Sequence, residues 1–251
     1  MAELRKEIII NSLNDSEVVY TRDLIQKCDV SEITIRRDLI ELEAKGLLIR
    51  THGGAVKIKA NEHLFTYDLK INQNRQNKET ICKLASNYIE DNDIIFIDCG
   101  TTLSLLTQYI KRFKNLIAIT NSLPVISELI DTPNIRLSLI GGEIYSERQA
   151  IYGPVAETNI ERYHANKAFI GADGVSLQHG LSSFDEKEAA ITRKMIENAE
   201  KVFLLCDSSK IEKNSFVRFA ALSKINYLIT DKFISGESVQ LYQEAGIQVI
   251  T

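Results

Sequence analysis

Apolar residues recur at Leu4, Ile8, Ile9 and Leu13 with helical spacing, and Asn14-Asp15-Ser16 interrupts the stripe. Thr21 is the expected N-cap of a short helix carrying Leu24 and Ile25, and Ser31 that of a longer helix running toward Lys45. On this third helix Ile35, Leu39 and Leu42 fall at i, i+4 and i+7, a spacing that buries one face and turns Thr34, Arg36, Arg37 and Glu41 outward or to the rim. Gly46 ends it as a C′ residue does. Residues 47–52 have strand composition, and Gly53-Gly54 is expected to supply the positive-φ freedom of a tight turn before residues 55–58. The first sixty residues therefore read as helix, helix, turn, helix and a short β-wing.

Residues 57–77 hold many Lys, Asn and Gln without a clear period and are assigned as a linker, although Leu64, Phe65 and Leu69 suggest that part of it packs. Beyond it the pattern becomes strand then helix. Apolar runs at 94–97, 116–120 and 135–140 are followed by helices from Thr102 and Ser122 and by Gly141-Gly142. The alternation continues with strand 167–170, helix 185–199, strands 202–206 and 227–230, and a last strand near Gln248. Nearly all-apolar strands alternating with helices indicate a largely parallel sheet covered on both faces. The expected fold class is α/β, with a winged helix-turn-helix at 1–57, a linker at 58–77 and a larger α/β domain at 78–251.

At 251 residues, two domains are favoured over one. Hydrophobic residues make up 44% and charged residues 25%, the balance of a soluble globular protein. Cys28, Cys82, Cys99 and Cys206 lie far apart without a CxxC pair, so neither a disulfide framework nor a zinc module is suggested, and a cytoplasmic setting fits. The apolar run Ile8-Ile9-Ile10 is too short for a signal peptide, and no run is long enough to span a bilayer. The net charge of −4 disfavours a chain that coats nucleic acid indiscriminately, yet it hides a local basic excess. Between positions 34 and 59, Arg36, Arg37, Lys45, Arg50, Lys57 and Lys59 face only Asp38, Glu41 and Glu43.

The run Val30-Ser31-Glu32-Ile33-Thr34-Ile35-Arg36-Arg37-Asp38-Leu39, with Leu42-Glu43, Gly46-Leu47 and Arg50-Thr51-His52-Gly53-Gly54-Ala55, resembles the DNA-binding signature of DeoR-type bacterial transcriptional regulators. Ile25 departs from the small residue that the family tends to carry in the helix before the turn. The resemblance implies a recognition helix for double-stranded DNA. The residue chemistry suits that role: a capped helix presenting hydroxyls and arginines enters the major groove with hydroxyls on phosphate and an Arg fork on guanine. Thr34 and Arg37 are the base-edge candidates, Ser31 offers a hydroxyl to phosphate, Arg36 could equally reach phosphate, and Arg50 and His52 in the wing could touch backbone or minor groove. Taken singly, each arginine is equally explained as a solvated charge or a partner for Asp38 or Glu41.

In the larger domain, Ile97-Asp98-Cys99-Gly100-Thr101-Thr102 lies between a strand and a helix, a geometry in which free backbone N–H groups converge on an anion. A plain tight turn capped by Thr101 or Thr102 explains the same residues. Polar strand ends recur at Thr120-Asn121, Gly141-Gly142, Gly171-Ala172-Asp173-Gly174 and Asp207-Ser208-Ser209-Lys210, and ligands of open α/β sheets collect there. These segments resemble the DeoR effector-binding domain, itself similar in fold to ribose-5-phosphate isomerase and the CoA-transferases. The resemblance implies that Asp98, Gly100, Thr101, Thr102, Asn121, Gly141, Asp173 and Lys210 line a pocket for a phosphorylated sugar. Residues 100–102 would hold phosphate, Lys210 would add a point charge, and Asp98 and Asp173 would accept from sugar hydroxyls.

Cys99 precedes a helix N-terminus, which lowers a thiol pKa, but a small buried thiol explains it as well. The four histidines have no metal-ligand spacing, and neither a metal nor a cofactor is called for. Glu186, Glu188 and Arg193 belong to a polar helix face from which Glu188 could approach the pocket, and residues 181–184 read as a loop able to close over a ligand. The whole is expected to be a repressor of carbohydrate genes, assembled as a dimer or higher and away from membranes, with a sugar-phosphate isomerase as the rival reading. Fold similarity does not transmit catalysis, and an isomerase has no use for the N-terminal helices.

Overall fold

The stripe that begins at Leu4 is part of a longer helix, α1 (Ala2–Ser16), with Ile9 and Leu13 fully buried. In this computed structural model the described residues are 2–16, 18–44, 47–51, 53–56 and 67–251. After α1 comes a strand absent from the sequence reading, β1 (Val18–Tyr20), which turns Val19 inward and leaves Val18 and Tyr20 exposed. Helix α2 (Thr21–Cys28) takes Tyr20 as its N-cap, so Thr21 is a buried first-turn residue and not the cap. Asp29, in the left-handed region at φ 50°, ends it and turns the chain into α3 (Glu32–Ala44). Ile35, Leu39 and Leu42 of α3 meet Ile9, Leu13, Val19, Leu24, Leu48 and Ala55 in one small core.

The wing consists of β2 (Ile49–Thr51) and β3 (Gly54–Val56), and β3 lies between β1 and β2 in an antiparallel sheet. Gly54 is demanded by space, not by positive φ: a Cβ there would lie 1.9 Å from the carbonyl oxygen of Val19 on the neighbouring strand. The side chain of Asp38, buried on α3, accepts from Arg5 Nε and Nη2, which pins α3 to α1. The stretch read as linker contains α4 (Tyr67–Asn72) and the start of α5 (Arg75–Ala85). The chain divides into two compact units, Met1–Asn74 and Arg75–Thr251.

In the second unit β4 (Ile94–Ile97), α6 (Thr101–Ile110), β5 (Leu116–Thr120), α7 (Leu123–Leu129) and β6 (Ile135–Leu139) follow the predicted alternation. A hairpin not foreseen from the sequence, β7 (Glu143–Tyr145) and β8 (Ala150–Tyr152), comes next, then α8 (Pro154–Ile160) and β9 (Ala165–Ile170). Strands β10 (Gly174–Ser176) and β11 (Gly180–Ser183) precede α9 (Glu186–Glu197), β12 (Ala199–Leu205), β13 (Val217–Ala220), β14 (Tyr227–Ile229), α10 (Gly236–Glu244) and β15 (Gln248–Ile250). Residues 181–183, read as a closing loop, belong to β11, the centre of the antiparallel sheet β10-β11-β13.

The main sheet is parallel in the order β15-β14-β12-β9-β4-β5-β6. Its central strands β4, β5, β9 and β12 bury most of their apolar residues, as in a parallel sheet packed against helices. Phe169, Phe203 and Tyr227 stack in one cross-strand row, with ring centroids 5.0 and 4.5 Å apart. Strand order reverses at β4: later strands β5 and β6 lie on one side, while β9, β12, β14 and β15 lie on the other. Ile97 is in register with Thr120 of β5 and Phe169 of β9, so Asp98, Asn121 and Ile170 emerge level where that reversal opens the sheet edge. Among the described residues no helix is long and apolar enough to cross a membrane.

Candidate functional site

The α3 surface divides sharply. Ile35, Asp38, Leu39 and Leu42 are buried, whereas Glu32, Ile33, Arg36, Arg37 and Ile40 are exposed. Ser31 precedes the first turn, and its hydroxyl lies 3.0 Å from that of Thr34, which is half-buried. Arg36 pairs with Glu32 one turn back, Nη2 to Oε1 at 2.6 Å, and Arg37 Nε stands 3.5 Å from Glu41. Glu41 is also held at 2.5 Å by Lys6 of α1, and Asp38 is taken by Arg5. Arg50 Nε donates to Glu43 Oε2 at 2.7 Å, joining the wing to α3. Thus the structure brings Ser31, Thr34, Arg36 and Arg37 onto one helix end, puts Arg50 in the wing, and leaves His52 outside the described residues, as are Lys45, Lys57 and Lys59.

Different physics governs the strand ends. Asp98 follows β4, is 2% exposed and accepts three hydrogen bonds: from Cys99 N at 2.8 Å, Thr192 Oγ1 at 2.9 Å and Gly171 N at 3.4 Å. Burial, reinforced by the charge of Glu188, raises its pKa to about 7 against the pull of those donors. Gly100, at φ 112°, caps α6 in a conformation that strains any residue with a Cβ. Thr101 is buried and accepts from Lys78 Nζ at 2.9 Å, and Thr102 gives its carbonyl to the Cys82 thiol. Asn121, fully buried after β5, donates through Nδ2 to the Ile151 carbonyl, while its Oδ1 meets no hydrogen-bond partner among the described residues.

Asp173 lies beyond β9 and accepts from Phe184 N at 3.2 Å. Gly141, after β6, is exposed, with open space where a Cβ would go. Lys210 ends the short turn Ser208–Lys210 past β12, where its charge acts on the buried Cys206 thiol and Asp207 and Asp231 accept from Ser209 N and Ser208 N of the same turn. The structure therefore clusters Asp98 with the 100–102 turn and sets Lys210 with the carboxylates beyond β12 and β14. Cys99 is buried against the Tyr152 hydroxyl, 3.2 Å away, and burial pushes its thiol pKa well up, the opposite of activation.

The sequence reading does not single out Lys78, Arg148 or Thr192 for this site, whereas it does raise Glu188. Lys78, only 5% exposed, shares the inward stripe of α5 with Ile81, Cys82 and Ala85, and a lysine on an apolar i, i+3, i+4, i+7 face is the signal that finds it. Arg148 sits in the turn between β7 and β8 with its guanidinium 3.3 Å from Glu188. Burial, the largest single effect, lowers its pKa, but the charges of Glu188, Asp173, Tyr152 and Cys99 together outweigh it and leave the pKa raised. Glu188 stands one turn before Thr192, whose hydroxyl touches Asp98, so α9 brings both to the strand ends. Nothing in a hairpin turn marks Arg148 from sequence alone.

Residues 5–61 match the DeoR-like helix-turn-helix domain and residues 73–232 the DeoR C terminal sensor domain. The chain is 37% identical to the lactose phosphotransferase system repressor of Lactococcus lactis, covering 96% of this chain and 95% of that one. It is 34% identical to the HTH-type transcriptional regulator GlpR of Haloferax volcanii, covering 98% and 96%. Identity to the HTH-type transcriptional repressor GlcR of Bacillus subtilis is 31%, covering 99% and 95%. Among solved structures, ribose 5-phosphate isomerase A of Methanocaldococcus jannaschii overlays about half of each chain, 55%, at 18% identity and a TM-score of 0.41.

Proposed function

The chain belongs to the DeoR family of transcriptional regulators, and from that premise we propose that it represses carbohydrate genes under control of a phosphorylated sugar. Residues 1–57 bind the operator and residues 78–251 sense the effector. Thr34 and Arg37 read base edges, Ser31 and Arg36 hold phosphate, and Arg50 with His52 contacts backbone or minor groove. The observation that carries the sensing half is the cradle at the sheet's reversal point. There a Gly-opened helix N-terminus, a buried lysine on Thr101 and a buried carboxylate face one strand end. Gly100, Thr101 and Thr102 hold the phosphate with Lys78, and Lys210 adds its charge from beyond the end of β12. Asp98, Asp173 and Asn121 take hydroxyls, and Gly141 leaves room at the rim.

One short helix reads too few base pairs for genomic selectivity, so two or more copies engage repeated half-sites in the cytoplasm. The site senses and does not turn over. The test is operator titration with and without a panel of sugar phosphates, run beside an isomerase assay. A sugar phosphate that shifts operator affinity supports the proposal. Turnover with operator affinity indifferent to every compound favours an enzyme and overturns it.

A further inference from the structure

Ile33 is 80% exposed, and it stands on the helix that carries the arginines of the proposed DNA-reading face. Neither core nor helix explains it. Its side chain is solvated, and a β-branched residue gains nothing over alanine on an open helical turn. It forms a ridge with Arg37 and Ile40 at i, i+4 and i+7, and Ile40 is 50% exposed. Hydroxyls of Ser31 and Thr34 and the guanidiniums of Arg36 and Arg37 surround the ridge, chemistry that suits phosphate and base edges more than an apolar protein surface.

On the major-groove floor the one apolar feature is the C5-methyl of thymine. We propose that Ile33 is a specificity-determining residue that buries a thymine methyl within about two base pairs of the base read by Arg37, since side chains four apart on a helix sit about 5–6 Å from one another. This rests on the reading of α3 as the DNA-reading helix. Adenine-thymine preference at that position then comes from apolar contact, while the arginine supplies the polar part of the code. Ile40 stands a further turn from the helix start and extends the ridge toward the flanking backbone.

The test starts from a duplex selected with the full-length protein from a random library. Each thymine of that duplex is then replaced singly by deoxyuridine, which removes the methyl and nothing else. Binding is measured for the wild type, Ile33→Ala, Arg36→Ala and Arg37→Ala. At one thymine per half-site the wild type is expected to lose about four-fold in affinity, the equivalent of one buried methyl. Ile33→Ala should be indifferent to that replacement and should bind the parent duplex at least four-fold more weakly. Selection repeated with Ile33→Ala should no longer fix thymine there.

A flat uridine scan in the wild type, or equal losses in wild type and Ile33→Ala, overturns the inference while leaving α3 as the reading helix, provided Arg37→Ala still weakens binding. If neither arginine variant weakens it, the DNA-reading assignment of α3 itself fails. A changed assembly mass for Ile33→Ala with an unchanged uridine response assigns the residue to contact between copies and equally overturns the proposal.

Discussion

The α3 face and the β4 strand end solve the problem of presenting charge in opposite ways. On α3, Arg36 and Arg37 are exposed and held by carboxylates on their own helix, so exchanging those partners for phosphate costs little desolvation. At the strand end, Asp98 is buried under three donors and Lys78 is held on Thr101, so these groups are fixed in orientation by the fold itself. The proposed DNA-reading surface is served by cheap, replaceable pairs. The proposed effector site is served by fixed ones.

The largest test of this contrast is pH. The folded protein holds the Asp98 proton up to about pH 7, whereas the ordinary carboxyl releases it near 3.8, so the folded state binds the extra proton between these values. Stability due to this group is therefore greatest below pH 4 and is lost as pH rises through 7, by up to about 4 kcal/mol over the whole window. Urea unfolding at pH 5 to 8 should show this slope in the wild type and not in Asp98→Asn. Thr192→Val removes a donor that favours the charged form and should move the loss to higher pH. A wild-type-minus-Asn difference that stays flat would mean that Asp98 is charged throughout.

Next in size is the coupling between the two regions. An effector acting through two arrangements is expected to change operator affinity by about five- to 150-fold, and operator DNA should change effector affinity by the same factor. Asp98→Asn should bind operator normally and lose the response. An Asp98→Asn protein that responds as the wild type does would remove this carboxylate from the effector site.

What could be read from the sequence follows the same divide. The inward positions of α3 and the strand-helix alternation of the sheet follow from periodicity, because burial repeats with the element's geometry. Strand β1 escaped because three residues are too few to show a period, and its place is set by pairing with β3 across about 35 residues of chain. Arg148 escaped for a related reason: its partners, Glu188 and Asp173, come from other segments and meet only in the folded sheet edge. The partners of the DNA-face arginines were within reach, since i, i+4 pairs are local, yet only one of the carboxylates weighed for them, Glu41, is used. Glu32 takes Arg36, and Asp38 is withdrawn by Arg5.

Substitutions on α3 should separate binding from stability. Arg37→Ala is expected to cost about 1–3 kcal/mol at the cognate site and to relax specificity there. Being a surface change, it should alter unfolding free energy by less than about 0.5 kcal/mol. Arg36→Ala should weaken all sequences alike and reduce the salt slope by about one. Unchanged operator affinity after replacing both arginines would remove α3 from the interface.

The smallest expected effect is the most discriminating, because its two readouts have opposite sign. Glu32 opens α3 and pairs with Arg36, both about half exposed, so the pair contributes about 0.3–0.5 kcal/mol after solvent screening. A carboxylate in the first turn also favours the helix dipole. Glu32→Gln should therefore lower stability slightly. It also removes an anion beside the proposed phosphate contacts and releases Arg36 from its partner, so binding to random-sequence DNA should tighten and the salt slope should steepen by about one phosphate's worth. No substitution of a locked group at the β4 end offers that separation, since Asp98 or Lys78 would lose packing and its proposed ligand contact together. Random-sequence titrations of Glu32→Gln across a salt series decide it: affinity and slope equal to the wild type's would show that Arg36 does not face phosphate.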